Sequence, residues 1–305
     1  MISHFDGREL VLRALWSYSV ARCRLTGLRP EFISYRKINS EYLVQIVIRP
    51  SRGSEPITYS GIGKSRVGFN KAFSELLEAL SAQKLGIKWE IGRSGYACAP
   101  TLAEAHSRAY SELIERDSFL MHFICPDLTS IPLKPVVIES ENVLSTALQS
   151  SYKSIFVCLS VIKKGNHWMV GLGTGDSCVN AASKARSEVI MISKSFHASG
   201  DPAKDKAYGL SEHYRASSEP EVQRRLAIIL NGGEIVKNFF ETKQDRSQIA
   251  EFERYASNRI VVRCIHKDLI PLTFGDNWRS QEAEILKLMS KRSLHSLPFI
   301  LHPML

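Results

Sequence analysis

The chain has 305 residues, 44% of them hydrophobic and 23% charged, a balance that suits one large or two modest globular domains and excludes a disordered chain. Lys and Arg number 40 against 31 Asp and Glu, giving a formal net charge of +9, which favours acidic partners such as nucleotides or an acidic peptide. Apolar runs such as Ser154–Ile162 are far shorter than the roughly 20 residues of a membrane span, and Met1–Arg8 lack a signal-peptide pattern; a soluble, cytoplasmic chain with no membrane association is expected.

In chain order, residues 8–24 carry apolar positions at helical spacing, and Tyr42–Ile48 is a β-rich run. Helices are predicted at 66–86, 101–122, 178–197, 219–230 and 280–292. Ser154–Ile162 and His167–Leu172 are predicted strands around a hairpin turn at Lys163–Asn166, and Ile260–Ile265 is another. Ala198–Ser218, polar and holding Gly200, Pro202 and Gly209, reads as a loop. No linker interrupts the pattern, so one α+β domain is expected. The basic residues are scattered; pairs such as Arg224-Arg225 and Lys291-Arg292 suit solvated helix faces better than a nucleic-acid stripe.

The six cysteines form no C-x-x-C pair and no zinc-finger spacing, so reduced, mostly buried thiols are expected. Gly61-Ile62-Gly63-Lys64-Ser65 is not a Walker A loop, because the position where its first glycine belongs is Thr58.

An internal echo stands out. Ser74–Leu80 reads SELLEAL and Ser111–Asp117 reads SELIERD, each in a predicted helix that follows a presumed glycine turn, at Gly61 and Gly63 or at Gly95. A third glycine run, Gly171–Gly175, precedes a helix carrying Glu188. Glu75 with Glu78, and Glu112 with Glu115, are spaced i, i+3, so each pair can point two carboxylates toward one place. Such acids repel one another unless cations intervene, and Mg2+ takes oxygen ligands and commonly bridges phosphates. Arg116 could neutralise a phosphate or fork onto a carboxylate. The bland alternative for a single E-x-x-E is an exposed polar stripe.

Three segments together resemble the YcaO family. Arg93–Phe119, RSGYACAPTLAEAHSRAYSELIERDSF, is similar to the family's S-N-G-x-A-x-G-x-T-x-x-E-A…E-L-x-E-R-D-A block. Gly61–Ala82 resembles G-K-G…S-x-x-x-E-x-x-E-R, and Gly171–Met191 resembles G-x-G-x-H…A-x-x-R-A-x-x-E-x-x-Q. The ending from Leu297-Pro298 to Leu305 is similar to the proline-rich tail of many members. The resemblance implies a single YcaO-like domain of mixed β-sheets and packed helices carrying an acidic ATP/Mg site. Residues 1–60 would be its N-terminal helix and strand region, and 61–305 its ATP-binding core and tail. It implies ATP and Mg2+ as cofactors, with Glu75, Glu78, Glu112, Glu115 and Glu188 as metal ligands and Arg116, Lys64 and Lys184 as nucleotide contacts; no catalytic residue is assigned.

The activity implied is phosphorylation of backbone amides in a ribosomally made precursor peptide, giving azolines from Cys, Ser or Thr. Thioamide and amidine products stay open, as does homodimer formation. The partners implied are the precursor peptide and a separate leader-binding protein related to ubiquitin-activating enzymes, with an azoline dehydrogenase as a further candidate. Departures from the pattern are Lys71 at the serine, Ala79 at the arginine, Gly175 at the histidine, Lys184 at an arginine and Met191 at the glutamine. They leave open a degenerate subunit that binds peptide or partner without turnover.

Overall fold

The computed structural model describes residues 17–21, 23, 30–38, 41–49, 57–64, 66–84, 94–138, 140–152, 154–198, 216–232, 247–255, 258–269 and 282–291. Of the predicted first helix, residues 17–21 and 23 are helical, and its other residues lie outside those described. Three strands follow: β1 (Phe32–Ile38), β2 (Glu41–Ile48) and β3 (Ile57–Gly63), paired in the order β1-β2-β3. Helix α1 (Arg66–Lys84) buries Phe69, Phe73, Leu76 and Leu77 against Val44, Ile46 and Tyr59 of that sheet.

Strand β4 (Tyr96–Ala99) leads into α2 (Leu102–Ile124). Thr101 caps α2 by accepting the Glu104 N–H at 3.2 Å, the Thr half of a T-x-x-E start signal. Strands β5 (Ser130–Ile138), β6 (Glu141–Leu148), β7 (Phe156–Lys164) and β8 (His167–Gly175) form a four-stranded meander, and α3 (Cys178–Ala198) returns across it. The predicted hairpin is present, with Gly165 at φ +56° in its two-residue loop. The expected loop at Ala198–Ser218 lies largely outside the described residues. Helix α4 (Pro220–Asn231) follows, then β9 (Gln248–Tyr255), β10 (Arg259–Ile265) and α5 (Glu282–Lys291). Strands β9 and β10 join β4 in a sheet of order β4-β10-β9. The tail from Leu297 lies outside the described residues.

The class is α+β, as expected, and every strand pairing described is antiparallel, a narrower set than the mixed sheets predicted. The β4-β10-β9 sheet is a wall between two cores. Tyr96, Cys98 and Val261 face the core of α1, while Ala97, Ala99, Ile260 and Val262 face that of α2. Alternation along a strand makes this possible, since successive side chains point to opposite faces. The meander is shared in the same way. Val157, Leu159 and Val161 face α2, whereas Cys158 and Ile162 face α3. Met191 of α3 also packs on Leu43 and Ile62 of the first sheet. Sheets and helices thus alternate, and α3 closes the sequence back onto the first sheet.

Two of the three presumed glycine turns are strands. Gly61 and Gly63 lie in β3, and Gly171, Gly173 and Gly175 in β8. A Cβ on Gly61 would stand 2.3 Å from the Gly68 carbonyl, and one on Gly173 would stand 2.4 Å from the Ala181 oxygen and the Ala185 nitrogen. These glycines let helix backbones rest directly on strands. Only Gly95 fits the turn reading, with φ +81° and the Cys264 carbonyl 2.3 Å from a Cβ built there.

Among the described residues, no helix is long and apolar enough to cross a membrane. None of the six cysteines is in a disulfide, and five of them are buried.

Candidate functional site

The three helices that carry the echoed glutamates bring their charges to one place. Arg116 of α2 is its centre. Its Nε is 3.7 Å from Glu112 and 4.0 Å from Glu115. Burial works against the charged guanidinium, but Glu115, Glu112, Glu188 and Glu75 together outweigh it and raise its proton affinity. Glu115 is pushed up by burial, against the pull of Arg116 and Lys184. Glu188 of α3 is pushed up to about 7, first by burial and then by the like charges of Glu115 and Glu75. Arg116 and the Leu172 N–H, 2.6 Å from a Glu188 oxygen, oppose that rise.

The structure therefore gathers Glu75, Glu112, Glu115, Glu188, Arg116 and Lys184. Glu78 is engaged elsewhere: its carboxylate accepts the Cys98 N–H at 2.7 Å and so joins α1 to β4. Lys64 is exposed at the end of β3, where its carbonyl accepts the Val67 N–H at 3.0 Å. The sequence reading did not place Lys71 or Glu41 at this site. Burial lowers the proton affinity of Lys71, with Glu41 opposing and Lys184 adding to that fall, although the residue is exposed overall. Its signal was visible as the lysine standing where the similar family block has serine.

Sequence reasoning also missed His122. It is fully buried, with Nδ1 2.7 Å from the Ser118 carbonyl and Nε2 3.3 Å from the Gln149 nitrogen. In the neutral form whose Nδ1–H donates to Ser118, Nε2 accepts from Gln149 N–H. Burial holds its proton affinity below the ordinary value. His122 ties the end of α2 to the meander and plays no part in the acidic cluster.

Four carboxylates against one guanidinium and one ammonium leave surplus negative charge, and their donors are all oxygen. That set fits a hard divalent cation, which would relieve the repulsion that adds to burial in raising the proton affinity of Glu188. Among the described residues, no three acidic, His or Cys side chains converge closely enough to hold a metal ion as they stand. Ligation would therefore require these side chains to turn inward.

No protein-family model matches the chain, and no curated protein matches its sequence. Solved structures do match. A chain of the E. coli microcin synthetase McbBCD complex is similar at TM-score 0.57 and 13% identity, over 79% of this chain and 88% of that one. The same complex with pro-MccB17 bound gives 0.57 and 13%, over 80% and 90%. A heterocyclase in complex with substrate and cofactor gives 0.57 and 11%, over 93% of this chain but 57% of that one, so the chain spans little more than half of it. A YcaO from Methanopyrus kandleri bound with AMPPCP and Mg2+ matches at 0.49 and 14%, over 69% and 74%, too weakly to bear on the argument. The chain has a YcaO-like fold, shared with the microcin synthetase chain and the heterocyclase.

Proposed function

We propose that this chain is an ATP- and Mg2+-dependent enzyme that activates backbone amides of a ribosomally made precursor peptide, converting Cys, Ser or Thr residues to azolines. The observation that carries the reading is the convergence of Glu75, Glu112, Glu115 and Glu188 from three helices on Arg116. It is supported by the microcin synthetase complex, which is similar in fold and holds pro-MccB17.

An amide oxygen is a poor leaving group; ATP supplies the phosphoryl group that lets it depart as phosphate. In this reading Glu75, Glu112, Glu115 and Glu188 would hold Mg2+, and Glu78 would join them only on leaving the Cys98 N–H. Arg116, Lys184 and Lys64 meet the phosphates, where cations stabilise the charge on the transferring group. Lys71, close to Lys184, adds a further positive charge. A separate leader-binding protein related to ubiquitin-activating enzymes presents the peptide, in the cytoplasm. One observation favours the second reading, a subunit that binds without turnover: Glu78 is already committed to the Cys98 N–H.

The test is mass spectrometry of the precursor incubated with this chain, its partner, ATP and Mg2+, with loss of water expected for each azoline. Glu115→Gln keeps the side-chain size and removes an anionic ligand, so modification should vanish while the far-UV spectrum and melting remain those of a folded chain. Wild-type rates in the variant would overturn the site. An unmodified but bound peptide with the wild-type chain would establish the second reading.

A further inference from the structure

Cys158 is the third residue of β7 and Cys178 is the first residue of α3, yet their Sγ atoms are 3.9 Å apart. The Cys158 thiol also points at the Cys178 carbonyl, 3.7 Å away. The two differ in access. Cys158 has no exposed surface. Cys178 is only partly buried and lines a cleft of about 400 Å3 together with Gln149, Tyr152, Ile155 and Phe156. The other four cysteines, Cys23, Cys98, Cys125 and Cys264, are all buried.

We propose that Cys158 and Cys178 form a reversible disulfide, with a peroxide as the oxidant. The cleft admits the small oxidant to Cys178. Its sulfur attacks the peroxide O–O bond, giving a sulfenic acid and releasing one water. The Cys158 sulfur then attacks the Cys178 sulfur; the S–S bond forms and the hydroxyl leaves with the Cys158 proton as a second water. One peroxide is reduced and two thiols are oxidised. Burial pushes the Cys158 thiol up to about 12, which leaves Cys178 as the group oxidised first. Contact between the sulfurs compensates for the weak nucleophile, since a held pair reacts as one molecule. The sulfurs must close from 3.9 Å to about 2 Å, a distance that rotation of the partly exposed Cys178 side chain can supply.

The bond would fasten the first turn of α3 to β7. The same helix carries Lys184 and Glu188, so oxidation acts on an element of the acidic cluster without touching a charged residue. A thiol reductant restores the free pair.

The experiment treats the folded chain with hydrogen peroxide, blocks remaining thiols, digests with trypsin without reduction and identifies linked peptides by mass. The expected product joins residues 154–163 to residues 165–184 with the loss of two hydrogens, and dithiothreitol separates it into the two thiol peptides. Cys178→Ser, a small change at a partly exposed helix start, should abolish the link and leave the other cysteines unoxidised. Cys178 recovered as sulfinic or sulfonic acid with Cys158 still reduced, a link between any other pair, or no oxidation at all overturns the proposal. None of these readouts depends on ATP or peptide.

Discussion

Replacing Glu188 by Gln should stabilise the chain at pH 8 and leave it almost unchanged near pH 4.5. Glu188 is raised from an ordinary 4.5 to about 7 in the folded chain. The folded state thus favours the protonated acid. Its contribution is fully present below 4.5 and is lost as pH rises through about 7. At about 1.4 kcal/mol per tenfold change in proton affinity, the full displacement would cost roughly 3 kcal/mol. Glu188 is only partly buried, so solvent screening reduces the expected cost to about 1–2 kcal/mol. Gln keeps a carbonyl oxygen to accept the Leu172 N–H while removing the charge that repels Glu115 and Glu75. Urea denaturation of wild type and variant at pH 8 and pH 4.5, without metal, measures the difference. A gain that appears equally at both pH values, or a variant less stable at pH 8, would refute the reasoning.

Gly173→Ala should destabilise by about 1–3 kcal/mol, the usual cost of overpacking, because its Cβ would meet the Ala181 and Ala185 backbone at 2.4 Å; a wild-type denaturation midpoint would contradict this. His122, held neutral by burial with its folded value below 6.5, contributes stability present above pH 6.5 and lost as pH falls through the folded value. Stability measured downward from pH 7 should fall, and His122→Asn should flatten that slope while costing about 1–3 kcal/mol for the partners left unmet. Calorimetry should detect ATP binding with Mg2+ and little without it; equal binding after chelation would remove the metal from the site.

The helices were legible because each buries an apolar face, and the predicted 66–86, 101–122 and 178–197 correspond to α1, α2 and α3 within a few residues. Many strands were not. β5 holds Pro132 and Pro135, which local rules take as breakers but which an edge strand tolerates. β9 is polar enough to pass for a loop, and β4 has only four residues. The glycine runs misled for a tertiary reason: glycine is the commonest sign of a turn, and here it marks where a helix lands on a strand. At the site, the spacing of the glutamates identified the acids. It could not separate Glu75, which acts on Arg116, from Glu78, which holds β4. That division depends on β4 passing beside α1, a contact between distant parts of the fold.

The bare strands beneath α1 and α3 also bear on how such a molecule can change. Where two side chains meet, a substitution on one side can be answered by another, and the spacing drifts as the lineage wanders. At Gly61 and Gly173 main chain rests on main chain, and there is nothing to trade. The seating of the helices that bear Glu75 and Glu188 is insulated from turnover in the surrounding core. A fold shared at 11–13% identity is what such insulation permits: most side chains can change while the main-chain contacts that seat the helices stay.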